Sequence, residues 1–163
     1  MTAGREARGP TPGPGGQGGS ASGAGAGSPT PTALVLVSHS RRLAEGVREL
    51  AAQMAGPAVP ILVAGGLDDG TLGTDATRIL AVLEEALRRA AGVVVLVDLG
   101  SAYLNAVTAL ELLAEDRRAR VHVADAPLVE GAVLAAVAAS VGEAAETVRQ
   151  RAEEARGMRK VPE

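Results

Sequence analysis

The residues of this chain with the clearest capacity for chemistry are a histidine, an aspartate and a serine that follow two apolar runs. His39 stands between Ser38 and Ser40, just after the apolar run ALVLV, while Asp98 ends the run GVVVLVD and Ser101 follows it closely. A neutral imidazole is a nucleophile. A carboxylate that accepts a hydrogen bond from one ring nitrogen leaves the lone pair of the other nitrogen free. These residue types therefore suit a histidine that accepts a phosphoryl group and gives it away again.

The position of His39 before a predicted helix favours the uncharged ring. The free N–H groups at a helix start favour an anion and disfavour an imidazolium. We expect the hydroxyls of Ser40, Ser101 and Thr71, together with the amides of nearby glycines, to bind the oxygens of an incoming phosphoryl group. From the pattern alone, His39 is equally compatible with a hydrogen-bonded residue at a strand end, and Asp98 with a helix cap.

Apolar runs alternate with stretches of helical period, and this predicts the elements that position these side chains. The runs predict four strands, at residues 33–37, 60–64, 92–98 and 120–124. Strands joined by helices of this length form right-handed crossovers. We therefore predict an α/β fold with a doubly wound, mostly parallel four-stranded sheet and helices on both faces. The carboxyl ends of its strands then gather His39, the glycine-rich loop 65–75 and Asp98 at one rim.

Five helices are expected between and after these strands. The first is predicted to carry on its core-facing side Leu43, Val47, Leu50 and Met54. The others are a helix with Thr74 as its N-cap, a helix from Tyr103 to Ala114, a helix over LVEGAVLAAVAAS, and a last helix from a capping box of Ser140 and Glu143 to about Arg156.

Composition divides the chain into one domain with a tail at each end. Residues 1–32 hold 10 of the 21 glycines and 5 of the 9 prolines, and they contain no Val, Leu or Ile. Such a segment buries too little apolar surface to offset its ordering entropy, so we predict that it is disordered. The folded domain is predicted over residues 33–156, and residues 157–163 are predicted to form a C-terminal tail.

Composition also argues against several classes of function. Aromatic residues make up 1% of the 163 residues and the formal net charge is -3, which argues against nucleic-acid binding. Without cysteine there is no disulfide, no thiol nucleophile and no cysteine-ligated zinc. No apolar stretch approaches the ~18 residues that cross a bilayer, and no secretory signal is apparent, so we expect a cytoplasmic protein without a membrane partner. Nothing in the chain requires a metal or an organic cofactor.

Four blocks of the sequence, in order and with matching spacing, carry a family resemblance. They are LVLVSHSRRLAEGVRELAAQM, AGGLDDGTLGTDATRIL, VVVLVDLGSAYLNAVTALELL and DAPLVEGAVLAAVAAS, and the resemblance covers about residues 33–155. The chain resembles the mannose-type enzyme IIA family of the sugar phosphotransferase system. Within that family it is similar to the phosphotransfer subunits of phosphoenolpyruvate-dependent dihydroxyacetone kinases.

The resemblance implies a four-stranded parallel sheet, a homodimer and phosphorylation of His39, with Asp98 as the carboxylate that orients the ring. It also implies that phospho-HPr donates the phosphoryl group. The implied acceptor is ADP on the nucleotide-binding subunit of the kinase, which serves a third, dihydroxyacetone-binding subunit. Further positions match the family's loop beside the site and its turn after the third strand: Gly65, Gly66, Thr71, Gly73, Thr74, Gly100 and Ser101.

Four other functions remain open from the sequence. The acceptor is alternatively a sugar-transport IIB domain, although GTLGTD and APLVEGA favour the dihydroxyacetone branch. Tetrapyrrole metal chelatases also place a histidine after the first strand, but often as H-G-S, and the second histidine here, His122, lies within a predicted strand. A hydrolase would use Ser101, His39 and Asp98, although the elbow G-x-S-x-G is absent. A regulatory module that binds a transcription factor cannot be separated from these by sequence.

Overall fold

One four-stranded sheet organises the fold in the computed structural model, which describes Gly9 and residues 30–162. The strands are β1 (Thr30–Ser38), β2 (Ile61–Gly65), β3 (Ala90–Val97) and β4 (Val121–Val123). They lie side by side in the order β2-β1-β3-β4, and each of these pairings is parallel. β2 lies on one side of β1 and β3 on the other, so the strand order reverses between β1 and β3. Ligands of such sheets bind outside the carboxyl ends of the strands at this reversal.

Helices cover both faces of this sheet. They are α1 (Arg41–Ala55), α2 (Ala76–Arg89), α3 (Gly100–Glu111), α4 (Glu115–Arg118), α5 (Leu128–Ser140) and α6 (Ala145–Glu154), followed by a 3₁₀ turn at Ala155–Gly157. Helices α1, α5 and α6 pack on one face, and α2 and α3 pack on the other. The predicted doubly wound α/β fold is therefore confirmed. Within the described part of the chain, no helix is long and apolar enough to cross a membrane.

The alternation of side chains along β1 divides the core into two layers. Leu34 and Leu36 belong to the layer under α1, α5 and α6, whereas Val35 and Val37 belong to the layer under α2 and α3. All four of these side chains are fully buried. Burial on both faces of the strand explains why β1 reads as a continuous apolar run in the sequence.

The first strand begins earlier than predicted. β1 starts at Thr30, so the last three residues of the predicted tail 1–32 belong to the sheet. Thr32 is fully buried, and its hydroxyl donates to the Glu143 carbonyl at 2.9 Å. The run Thr-Pro-Thr contains no apolar residue, so hydrophobic patterning missed it. The rest of the predicted tail, apart from Gly9, lies outside the described residues.

Small residues, and not the large apolar ones, face the core along α1. The buried residues of this helix are Ala44, Val47 and Ala51. The predicted core positions Leu43, Leu50 and Met54 are exposed. The buried residues of the neighbouring α5 are also mostly alanine. Small side chains let the two helices pack closely, and this tertiary contact decided which stripe of α1 is buried.

Two predicted helix caps are wrong. Asp75, not Thr74, is the N-cap of α2, because Asp75 Oδ1 accepts a hydrogen bond from the Arg78 amide at 2.8 Å. Ser140 is the last residue of α5, and its hydroxyl donates to a carbonyl one turn earlier at 2.7 Å. Ser140 and Glu143 therefore form no capping box, and α6 begins without a side-chain cap. In both cases the side chain that the local sequence predicts as a cap forms its hydrogen bond with another group.

Candidate functional site

His39 and Asp98 meet where β1 and β3 end. Each follows its strand directly, and these neighbouring strands run parallel, so the two residues lie side by side. The ring nitrogen Nδ1 of His39 lies 3.0 Å from Asp98 Oδ1, and the His39 amide donates to Asp98 Oδ2 at 2.8 Å. The aspartate side chain is 9% exposed and the histidine side chain 26%. The carboxylate is therefore shielded, while the ring remains open to a partner.

Ser38, the last residue of β1, completes the surroundings of the Asp98 carboxylate. Its side chain is buried, its hydroxyl donates to Asp98 Oδ2 at 2.9 Å, and its Oγ accepts a hydrogen bond from the Ser40 amide at 3.0 Å. Asp98 Oδ2 thus accepts two hydrogen bonds, whereas Oδ1 faces the ring of His39. Sequence analysis gave Ser38 no role. A buried hydroxyl at a strand end requires hydrogen-bond partners. This requirement was the signal that could have indicated a role for Ser38.

The hydrogen bonds around Asp98 keep its side chain ionised. Partial burial raises the pKa of the Asp98 carboxyl, but hydrogen bonds from the His39 amide, the His39 ring and the Ser38 hydroxyl together hold that pKa below its usual value. An ionised carboxylate only accepts hydrogen bonds, so Nδ1 of the neutral His39 ring carries the proton. The lone pair of that ring therefore resides on Nε2.

Ser101 occupies the Nε2 side of the ring. Its Oγ lies 2.9 Å from His39 Nε2. Because Nε2 is the acceptor in the tautomer set by Asp98, the Ser101 hydroxyl donates to it. α3 begins at Gly100, earlier than the predicted start at Tyr103, and this places Ser101 in the first helical turn. Ser101, His39 and Asp98 therefore form one continuous series of hydrogen bonds.

Ser40 joins the site to α1. Its Oγ accepts a hydrogen bond from the Leu43 amide at 3.2 Å and so caps the N-terminus of the helix. Among the described residues, no acceptor takes the proton of the Ser40 hydroxyl. The hydroxyl next to His39 is therefore available as a donor to a bound phosphoryl oxygen.

The glycine-rich loop after β2 is fastened to the backbone that carries His39. The Gly66 amide donates to the Ser38 carbonyl at 3.2 Å, and the Gly73 amide donates to the His39 carbonyl at 2.9 Å. Gly66 has a φ of 68°, a left-handed conformation that favours glycine. These two hydrogen bonds hold the loop beside the site, and the binding of phosphoryl oxygens by glycine amides stays a prediction.

The loop threonines also bond within the protein. The Thr71 amide and hydroxyl both donate to Asp69 Oδ1, at 2.9 Å and 2.6 Å. Thr74 Oγ1 accepts a hydrogen bond from Asn105 Nδ2 at 2.6 Å, which ties the loop to α3. The Thr71 hydroxyl proton is thus donated to Asp69 Oδ1. Sequence analysis missed Asn105 because its partner is 31 positions away along the chain.

Gly65, the last residue of β2, touches the start of α1 so closely that a methyl group does not fit. A Cβ added at Gly65 would lie 2.9 Å from Arg41 Cα and 3.2 Å from the Ser40 carbonyl oxygen. We predict that Gly65→Ala lowers the free energy of unfolding by about 1–3 kcal/mol, because the backbone at the start of α1 must move to make room for the methyl group. The matched control is Gly46→Ala in α1, where an added Cβ has no atom within 4 Å and the variant should gain about 0.5–1 kcal/mol. Urea unfolding measures both, and a stabilised Gly65→Ala protein would contradict the close contact.

The second histidine lies away from this rim. His122 is in β4, paired with Val94 of β3, and its Nδ1 lies 3.1 Å from Glu146 Oε2. No group of three or more His, Asp or Glu side chains among the described residues is arranged to hold a metal ion.

His39 thus lies at the strand-order reversal of a doubly wound sheet, where ligands of such folds bind. The chain belongs to the EIIA-man family, because the family model described as the PTS system fructose IIA component matches residues 33–149. This confirms the family resemblance found in the sequence. The crystal structure of an unknown function protein, EF1359, has a similar fold, with a TM-score of 0.72 and 35% identity, covering 80% of this chain and 98% of that chain.

Within that family the chain groups with proteins named phosphoryl donor subunit DhaM of PEP-dependent dihydroxyacetone kinases. It is 43% identical to DhaM of Providencia stuartii over 123 residues, and 47% identical to DhaM of Escherichia coli K12 over 110 residues. These matches cover 74% and 66% of the chain but only 26% and 23% of those relatives, so the chain spans about a quarter of their length. A DhaM subunit of dihydroxyacetone kinase 2 from Listeria innocua is 41% identical over 115 residues, which cover 71% of this chain and 91% of that protein.

Proposed function

We propose that the chain is a phosphohistidine carrier of a phosphoenolpyruvate-dependent dihydroxyacetone kinase. It accepts a phosphoryl group from phospho-HPr on His39. It transfers that group to ADP bound on the nucleotide-binding subunit of the kinase, which supports the phosphorylation of dihydroxyacetone on a third subunit. The observation that carries the proposal is the position of His39 between Asp98 and Ser101, since the ionised carboxylate leaves the ring lone pair on Nε2. The names of the DhaM relatives support the same role.

The transfer step requires positioning more than covalent assistance. His39 Nε2 attacks the phosphorus of the donor phosphohistidine, and the donor P–N bond breaks as the new one forms, with its electron pair returning to the donor imidazole. The His39 ring gains positive charge in this step, and the Asp98 carboxylate beside Nδ1 stabilises that charge. Ser101 must release Nε2 before the attack, and its hydroxyl then serves as a donor to a phosphoryl oxygen.

Two helix starts flank the histidine and favour an anion there. α1 begins two residues after His39, and α3 begins two residues after Asp98. The N-terminal ends of both helices carry partial positive charge from free N–H groups. A phosphoryl group on Nε2 adds negative charge at this position, so the helix ends contribute to holding it.

The remaining partners follow from the same proposal. The proposed partners are phospho-HPr and the kinase subunits that bind ADP and dihydroxyacetone, and we propose that the chain acts as a homodimer in the cytoplasm. The chain spans only about a quarter of the Providencia and Escherichia relatives, so any activity of their remaining length is outside this proposal.

A second acceptor is favoured by the description of the family model, which names a fructose IIA component of the PTS system. In that case the phosphoryl group passes from His39 to a sugar-transport IIB domain. The chemistry at Nε2 is the same for both acceptors, so the two candidates differ only in the protein that docks on the charged carrier.

A label-and-chase experiment tests the proposal and separates the two acceptors. Incubation with labelled phosphoenolpyruvate, enzyme I and HPr should give an acid-labile, base-stable label on the chain, as expected for phosphohistidine. We predict that the ADP-loaded kinase subunit removes this label as ATP, and that a IIB domain removes it more slowly. Transfer to the IIB domain alone would show that the acceptor is a sugar-transport domain and not the kinase subunit. Failure of phospho-HPr to label the chain would overturn both acceptors.

A further inference from the structure

Ser101, His39 and Asp98 have the mutual geometry of a serine hydrolase triad. Ser101 Oγ lies 2.9 Å from His39 Nε2, and His39 Nδ1 lies 3.0 Å from Asp98 Oδ1. In such a series the imidazole takes the hydroxyl proton, while the carboxylate fixes the tautomer and stabilises the imidazolium. A triad is recognised by this geometry and not by its sequence context, so the missing G-x-S-x-G elbow does not exclude it.

We propose that Ser101 is an activated nucleophile in the uncharged protein, and that the chain hydrolyses small activated esters. Ser101 and its helix start are exposed, so a small ester reaches the hydroxyl without a conformational change. The activity uses the same ring as phosphoryl transfer but requires neither phosphoenolpyruvate nor a protein partner.

The reaction proceeds in two balanced halves. Ser101 Oγ attacks the carbonyl carbon of 4-nitrophenyl acetate, and its proton passes to His39 Nε2. The bond from carbon to the phenolic oxygen then breaks, and 4-nitrophenolate leaves with the electron pair. Nε2 then loses the first proton to solvent. Water next attacks the carbonyl carbon of the acetyl group, and Nε2 takes one proton of that water. The bond from the acetyl carbon to Ser101 Oγ then breaks, and Nε2 passes the proton taken from water to that oxygen. Acetic acid leaves and loses its remaining proton to solvent, and the protein returns to its starting state.

The first turn of α3 supplies donors for the oxyanion of this reaction. Gly100 and Ser101 open the helix, and the preceding Leu99 gives no side-chain cap. Within the described part of the chain, neither the Gly100 nor the Ser101 amide donates a hydrogen bond to another group. Free amides beside a serine nucleophile stabilise the charge that develops on the carbonyl oxygen.

A fluorophosphonate probe and 4-nitrophenyl acetate test this inference. The probe should form a stable ester on Ser101, with loss of fluoride, and peptide mapping should locate it there. We expect Ser101→Ala and His39→Ala each to lower the rate of probe labelling and the steady-state release of 4-nitrophenol by about a hundredfold or more, the usual contribution of a positioned base.

Two matched variants control for nonspecific reaction. Ser140→Ala removes another exposed serine hydroxyl, and His122→Ala removes the other histidine, so both should react like the wild type. Labelling at Ser140, acetylation of His39 itself, or wild-type rates in Ser101→Ala would overturn the proposal. These outcomes are distinguishable from failure of the carrier function, because ester hydrolysis and probe labelling are measured without phosphoenolpyruvate, enzyme I or HPr.

Discussion

His39→Ala should take up no label from phospho-HPr, whereas His122→Ala should be labelled like the wild type. The variant removes the atom that forms the bond to phosphorus, and it also removes the ring nitrogen that accepts the hydrogen bond of the Ser101 hydroxyl. A loss of at least about a thousandfold is expected when the nucleophile itself is removed. Labelled phosphoenolpyruvate with enzyme I and HPr measures the uptake, and mass spectrometry of the charged protein locates the phosphoryl group.

His122 provides a matched control for this prediction because the two histidines are similarly accessible. The His122 side chain is 30% exposed and the His39 side chain 26%, and each Nδ1 faces a carboxylate. Only His39 lies at the carboxyl ends of the strands. His39→Gln serves as a second variant that retains a hydrogen-bonding side chain beside Asp98, should the alanine variant unfold. Label on His122, or label that persists in both variants at position 39, would remove His39 from the mechanism.

The sheet could be predicted from sequence because buried parallel strands have no polar face. The central strands β1 and β3 are enclosed by helices on both sides, so they read as unbroken apolar runs. The start of β1 could not be predicted in this way, since Thr32 is held by a hydrogen bond to the Glu143 carbonyl, 111 positions away. The buried stripe of α1 likewise depends on the alanines of α5. These features come from tertiary contacts that local patterning does not contain.

The site was predictable to the extent that parallel strand ends converge. The end of β1 and the end of β3 must lie together in a sheet with this order, and this brings Asp98 to His39. The uses of the polar loop residues were not predictable, because each depends on which neighbour claims the group. The Gly66 and Gly73 amides donate hydrogen bonds to backbone carbonyls, and the Thr71 hydroxyl donates to a carboxylate two residues away.

The largest effect outside His39 should come from Asp98→Asn, through the tautomer of the ring. The Asp98 atom Oδ2 accepts two hydrogen bonds, from the His39 amide and the Ser38 hydroxyl, while Oδ1 accepts one from the ring. A carboxamide has a single acceptor oxygen, which satisfies both donors only at the Oδ2 position. Its NH₂ group then faces Nδ1 and donates to it, so the ring proton moves to Nε2 and the lone pair needed for attack is lost.

We therefore expect Asp98→Asn to slow phosphoryl transfer to His39 by about a hundredfold to ten-thousandfold while the protein stays folded, as for other triads with this substitution. Rapid-quench kinetics of transfer from phospho-HPr measure the rate. Nitrogen-15 chemical shifts of the His39 ring report the tautomer independently of the rate. The matched control is Asp125→Asn. Asp125 lies after β4, and its carboxylate pairs with Arg156 and does not contact the ring.

The pH dependence of stability separates this tautomer effect from a general loss of packing. The pKa of Asp98 in the folded protein lies below its ordinary value of about 3.9, so the stability it contributes is present above that pH and is lost as pH falls through the lowered pKa. The difference in free energy of unfolding between the wild type and Asp98→Asn should therefore become smaller in acid. The rate of phosphoryl transfer is measured separately, at neutral pH, where both proteins are folded. A folded Asp98→Asn protein with the wild-type tautomer and an undiminished transfer rate would show that the carboxylate does not direct the reactive nitrogen.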